Sequence, residues 1–243
     1  LLQCWSPQQI SRRLEQRYPH DQSMRVSHET IYRTLFIQAR GALKKQLTQH
    51  LRTGRTLRHP RAKSRRPSYS RIVDAVSISE RPAQAEDRAV PGHWEGDLIS
   101  GSGNTHIATL VERHSRFVLL AKLRSKETSD VVAALTRKMS KLPTQLRRSL
   151  TWDRGTEMAG HQRFTIATDI QVYFCDPQSP WQRGSNENTN GLLRQYFPKG
   201  TDLSVHSQAK LDAVARQLNA RPRETLKFKT PAEKLSESVA QTG

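Results

Sequence analysis

The chain has 243 residues, with 40 lysines and arginines against 22 aspartates and glutamates, a formal charge of +18 and 35% hydrophobic residues. That suffices for one core with an appendage, and the positive excess makes a polyanion, above all nucleic acid, the default partner. Two isolated cysteines, Cys4 and Cys175, exclude a disulfide scaffold and a Cys/His zinc site, and no apolar run approaches the about 20 residues of a membrane span.

The N-terminal part reads as helical. Ser6-Pro7-Gln8-Gln9 combines a Ser N-cap, Pro at the first helical position and Gln at the third. Ile10 and Leu14 then supply an apolar pair before Tyr18-Pro19 ends the helix. Ser27 caps a second helix whose expected buried stripe is Ile31, Tyr32, Leu35 and Phe36, with polar groups such as Arg33 between them. Two short helices of this kind, over residues 1–51, suggest a helix-turn-helix DNA reader. A plain helical hairpin is the alternative. Between Glu29 and Asp74 no acidic residue occurs, and residues 52–71, with Arg65 and Arg66 among their cations, are poor in apolar side chains. We read 52–90 as a basic linker that lies along phosphates.

From residue 91 short apolar runs take over. Trp94–Ile99, His106–Glu112 and Phe117–Leu123 read as three strands separated by turn residues. Thr128–Leu142 reads as an amphipathic helix, Leu150–Asp153 as a strand, Gly155–Phe164 as a helix, Val172–Cys175 as a fifth strand and Asn186–Tyr196 as a helix. This order predicts an α/β core with a mixed sheet over 91–200. Residues 201–243 form a helical extension, with an apolar stripe over Gln208–Asn219 and a last short helix begun by Thr230-Pro231-Ala232-Glu233.

Three carboxylates stand out. Asp97 sits inside the first strand, Asp153 ends the fourth, and Glu187 lies near the start of a helix. A carboxylate in an apolar strand is costly unless a cation compensates it. If the two strands are neighbours, all three converge on one sheet edge, and hard oxygen donors without Cys or His suit Mg²⁺, for which Mn²⁺ can substitute. Spacing leaves Glu95, Glu157 and Asp176 as stand-ins.

His93-Trp94-Glu95-Gly96-Asp97-Leu98-Ile99, Leu150-Thr151-Trp152-Asp153-Arg154-Gly155, and the long run from Asp176 to Gly200 around Ser185-Asn186-Glu187-Asn188-Thr189-Asn190-Gly191 resemble transposases of the bacterial insertion-sequence 30 family. The likeness runs from about Trp5 to about Glu233. It implies a ribonuclease H-like, retroviral-integrase-type mixed five-stranded sheet flanked by helices, with an N-terminal helix-turn-helix arm. It also implies a DNA transposase with Asp97, Asp153 and Glu187 as the catalytic, metal-binding triad and Glu95 and Glu157 in supporting roles. The implied chemistry is Mg²⁺-dependent 3′-end cleavage and strand transfer between terminal inverted repeats and target DNA. A cytoplasmic, nucleoid-associated homo-oligomer, dimer or larger, is expected. Asn190 and Arg194 fall on the Glu187 face of their helix, which makes Arg194 a candidate for a DNA phosphate and Asn190 for the strand end. Trp181 is a candidate for base stacking. A metal-dependent nuclease of the same core and an inactive DNA-binding remnant are the competing readings. The chain begins at Leu1 rather than Met, which reads as part of a longer protein.

Overall fold

The computed structural model describes residues 3–34, 72–86, 88–177 and 179–242. Leu35, Phe36 and the basic stretch 52–71, with Arg65 and Arg66, lie outside the described residues, as does the side chain of Trp181. Two compact units are present: the described residues of 67–219 with 232–243, and those of 1–66 with 220–231.

In the smaller unit, α1 (Pro7–Arg17) begins with the expected capping box, Ser6 and Gln9 each bonding the other's backbone N–H. It ends at Tyr18. Helix α2 (His28–Arg33) is capped by Ser27, whose hydroxyl accepts from Thr30 N. The Ser11 hydroxyl donates to Val26 O at 2.6 Å and ties the two helices together. Gln9 also receives Arg221 Nε at 2.9 Å and donates to Pro222 O at 2.7 Å, so α1 anchors the 220–231 segment. The expected burial of Tyr32 is not found: the residue is 39% exposed.

The larger unit is built on a five-stranded sheet of order β3-β2-β1-β4-β5, comprising β1 (His93–Ser100), β2 (His106–Glu112), β3 (Val118–Lys122), β4 (Ser149–Trp152) and β5 (Gln171–Phe174). The first three strands form an antiparallel meander, and β1–β4 and β4–β5 pair in parallel. Parallel neighbours need crossovers. Helices α4 (Thr128–Met139) and α5 (His161–Thr168) supply them, after a short α3 (Ala83–Glu86) ahead of β1. The mixed sheet is therefore the one expected, with β2 and the helix Gln208–Asn219 falling on their expected residues.

Period-2 alternation divides the core. Trp94, Leu110, Leu150, Trp152 and Phe174 meet α4 and α5 through Val131, Leu135, Met139 and Phe164. Ile99, Ile107, Val111, Val118 and Leu120 meet α6 (Gly184–Leu193) and α7 (Gln208–Asn219) on the other face. Gly96 is required on the first face, since a Cβ there would run into the Trp152 ring. Edge strand β3 is closed by side-chain amides of α7. Asn219 bonds Val118 N and O at 2.8 and 2.9 Å, and Gln208 bonds Lys122 N and Leu120 O at 2.8 and 3.0 Å. Paired this way, the edge offers little to another strand.

One expected helix differs. The stretch 155–164 splits into a 3-10 turn over Thr156–Met158 and α5, which starts after Gly160 and closes at Asp169 in the left-handed region (φ 58°). The Trp152 indole donates to Glu157 at 3.1 Å and holds the turn against the strand. The last helix, α8 (Pro231–Thr242), is longer than expected, at 12 residues. Among the described residues no helix is long and apolar enough to cross a membrane.

At the start of β1, His93 is buried with Nδ1 2.7 Å from Ser149 Oγ and with Nε2 lacking a hydrogen-bond partner among the described residues. Burial, then Arg148, Arg81 and Arg113, push its pKa down to about 4. The unfolded chain therefore takes up a proton below pH 6.5 that the folded chain refuses until about pH 4. Stability is expected to fall as pH drops through that window, by up to about 3 kcal/mol from this residue. Urea unfolding between pH 7 and 4 should show this loss in the parent chain and a flatter profile in His93→Gln; equal slopes would contradict it.

Candidate active site

Glu95 and Asp97 lie on the same face of the central strand, toward α6 and α7. Glu95 is fully buried. Its Oε1 is 2.6 Å from Arg113 Nη1, and its Oε2 accepts the backbone N–H of Asn186 at 3.0 Å. Asn186 is the third residue of α6, so a strand carboxylate serves one of the orphan N–H groups of that helix. Arg183, the N-cap residue, makes no side-chain cap of its own. Thr109, opposite Asp97 on β2, places its hydroxyl 3.1 Å from Asn186 Oδ1. Burial pulls the Arg113 guanidinium down to about 10, against the pull of Glu95, and it stays charged at neutral pH.

The ladder between β1 and β4 ends with Glu95 beside Thr151. Two residues further along each strand, on the same face, stand Asp97 and Asp153. They converge on a cation. Arg183 Nη1 is 3.3 Å from Asp97 Oδ1 and Nη2 is 3.0 Å from Asp153 Oδ2, with a further bond from Nη1 to Gly96 O at 3.1 Å. Each carboxylate is also held by backbone: Leu98 N donates to Asp97 Oδ1 at 2.9 Å and Gly155 N to Asp153 Oδ1 at 3.1 Å. Burial raises the Asp97 carboxyl above the usual carboxylate range, Arg183 opposes that rise and Asp153 adds to it. Cys175, close to the same charges, is pushed up to about 11 by burial and stays a thiol at neutral pH.

Glu187 occupies the first turn of α6 and is exposed. One turn on, Asn190 donates Nδ2 to Asp97 Oδ2 at 2.8 Å, and its own Oδ1 is buried without a hydrogen-bond partner among the described residues. The structure thus joins Asp97 and Asp153 and docks the Glu187 helix onto Asp97. Among the described residues, however, no three His, Cys, Asp or Glu side chains stand close enough to hold one ion. The expected convergence of three carboxylates is not met in this arrangement, where a guanidinium lies between the first two.

The other expected site residues are dispersed. Arg194 donates to Ser100 O at 3.1 Å and closes the end of β1. Arg33 is exposed in the last turn of α2. Glu157 bonds the Trp152 indole, and Asp176 accepts from Gln182 Nε2 at 2.9 Å. Sequence reasoning missed Arg113 and Arg183. The signal for both is the requirement that a buried strand carboxylate have a cation nearby, which does not by itself name the partner.

Comparison with known proteins gives the family of this α/β core. The family model for the integrase core domain matches residues 87–180. The transposase InsI of insertion sequence element IS30A from Escherichia coli K12 is 53% identical over 240 residues, 98% of this chain and 63% of that protein. The transposase of insertion sequence element IS1086 from Cupriavidus metallidurans is 51% identical over 239 residues, covering 98% of this chain and 70% of that protein. Among solved structures, the catalytic core domain of BIV integrase aligns at 18% identity with a TM-score of 0.48, covering 63% of this chain and 99% of that one. The chain belongs to the IS30 family of insertion-sequence transposases, and it spans about 63% of the length of the Escherichia coli relative.

Glu95→Gln should lose about 3–5 kcal/mol in equilibrium denaturation, because it strands a buried arginine. Glu157→Gln, which keeps an acceptor for Trp152, should lose less than about 1 kcal/mol. A small loss at Glu95 would remove the argument that this pair frames the site.

Proposed function

We propose that the chain carries the catalytic centre of a DNA transposase that binds element terminal inverted repeats and performs 3′-end cleavage and strand transfer. The observation that carries this reading is the placement of Asp97, on β1, beside Asp153, just past the end of the adjacent parallel strand β4, with their oxygens aimed at one cation. The helix bearing Glu187 is hydrogen-bonded onto the first of them.

The donor set fits a divalent ion. Asp97 and Asp153 present hard oxygens already held by backbone N–H groups, and the buried Oδ1 of Asn190 is a further oxygen beside them. Mg²⁺ is the natural occupant, with Mn²⁺ as substitute, and Asp97, Asp153 and Glu187 would hold it. When bound, the metal would polarise the scissile phosphate and activate the attacking hydroxyl. The protein's own part is orientation: Asn190 and Leu98 N fix Asp97, Gly155 N fixes Asp153, and Glu95 fixes the helix that carries Glu187.

DNA is the expected partner over a wide surface. The two N-terminal helices, with Arg33, are assigned to element ends as a helix-turn-helix arm, Arg65 and Arg66 to the phosphate backbone, and Asn190 and Arg194 to the strand near the carboxylates. Lys122, Arg124, Arg137, Lys138 and Lys141 line a groove of about 550 Å³ in the larger unit, where Arg124 pairs with Asp130 and Lys138 with Asp212. Pairing two element ends calls for a homodimer or larger assembly.

The deciding assay incubates the protein with Mg²⁺ and labelled DNA bearing the ends of its own element. Asp97→Asn, Asp153→Asn and Glu187→Gln should each abolish strand-joined product, by about 10³-fold or more, with DNA binding retained. Cleavage without joining would favour a nuclease, and binding without any product an inactive remnant. In the double variant Arg137→Gln/Lys141→Gln, the slope of log affinity against log salt should flatten by up to about 2 units if both residues neutralise phosphates. An unchanged slope would exclude that groove.

A further inference from the structure

We propose that Arg183 is an exchangeable cation of this site: it neutralises Asp97 and Asp153 when metal is absent and is displaced when a divalent ion binds. This rests on the reading of the two aspartates as metal ligands.

Three observations support exchange rather than permanent pairing. First, Arg183 occupies the position a metal would need, with one nitrogen toward each carboxylate. Its fork spreads a single positive charge over two carboxylates, where a divalent ion would match both.

Second, the two carboxylates have other holds, and apart from them the Arg183 side chain makes one further bond among the described residues, to Gly96 O at 3.1 Å. Asp97 keeps its bonds from Leu98 N and Asn190 Nδ2, Asp153 keeps Gly155 N, and α6 stays anchored through Glu95 and Asn186. The carboxylates therefore hold their orientation when the guanidinium leaves. Arg183 itself ends the 3-10 turn Pro180–Arg183 and is the N-cap residue of α6, with φ −122° and ψ 35° and no side-chain cap, so the helix does not use its side chain.

Third, the neighbouring ion pair shows what a permanent one looks like in this protein. Arg113 and Glu95 are 6% and 0% exposed and 2.6 Å apart, whereas Arg183, Asp97 and Asp153 are 16%, 28% and 37% exposed at 3.0–3.3 Å. The first pair is sealed, and the second is open to solvent and to an incoming ion. Arg183 is accordingly a positioning and charge-balancing residue. It keeps two adjacent carboxylates tolerable in the metal-free protein and sets the concentration at which metal enters.

The test is Mn²⁺ titration of the whole chain without DNA, by calorimetry, for the parent, Arg183→Gln, Arg183→Lys and the double variant Arg183→Gln/Asp153→Asn. Arg183→Gln should bind Mn²⁺ about tenfold or more tightly than the parent, since a competing charge is gone. It should also melt lower without metal and gain more from Mn²⁺. Arg183→Lys, which cannot fork to both carboxylates, should fall between the two, and it carries the comparison if Arg183→Gln fails to fold. Equal or weaker Mn²⁺ binding in the substituted proteins overturns the proposal while leaving the metal-site reading intact. If the double variant binds Mn²⁺ as Arg183→Gln does, the ion sits elsewhere, and the metal-site reading falls together with the proposal.

Discussion

A carboxylate buried at the middle of a central strand, as Glu95 is, would be prohibitively unfavourable alone. It is tolerated because Arg113 supplies the opposite charge and the Asn186 N–H a second bond. That solution has a geometric consequence. The helix Gly184–Leu193 can begin only where its third N–H meets the Glu95 oxygen, so the strand carrying Asp97 and the helix carrying Glu187 are fixed relative to each other. Thr109 and Asn190 repeat the connection one strand over and one turn on.

The second carboxylate enters through strand pairing. The parallel register of β1 with β4 sets Glu95 against Thr151, and strand periodicity then puts Asp97 and Asp153 next to each other just past the end of the ladder. Burial pushes Asp97 up, Arg183 opposes that rise from between the two carboxylates, and the like charge of Asp153 adds to it. Charge at this sheet edge is thus organised in two layers: a sealed pair that fixes the frame, and an open pair of aspartates whose counter-charge can be exchanged. On the proposed reading, the second layer is where the chemistry takes place.

Much of this was legible from the chain. Alternating apolar runs with Gly, Asn and Ser turns located the strands, and Ser6 and Ser27 located two helix starts, because those signals are local. The stretch 155–164 misled because Gly160 and the Trp152–Glu157 bond break a helix that periodicity alone would continue. Tyr32 looked buried because spacing cannot tell which face of a short helix finds a partner. Arg113 and Arg183 were signalled only as an unnamed cation, because each pairs with a carboxylate distant in sequence and only the folded chain brings them together. Glu187 shows the same limit, since its helix could be placed near Asp97 but its side chain could not be placed from spacing.

The most direct test of the account is a crystal structure of the protein with Mn²⁺ and DNA carrying an element end, read by anomalous scattering. The account predicts a metal peak shared by Asp97 and Asp153, with Glu187 contributing from its helix, Arg183 withdrawn from the carboxylates and the Glu95–Arg113 pair unchanged. A metal ligated by Glu95 or Glu157, or no metal within bonding distance of Asp97 and Asp153, would contradict it.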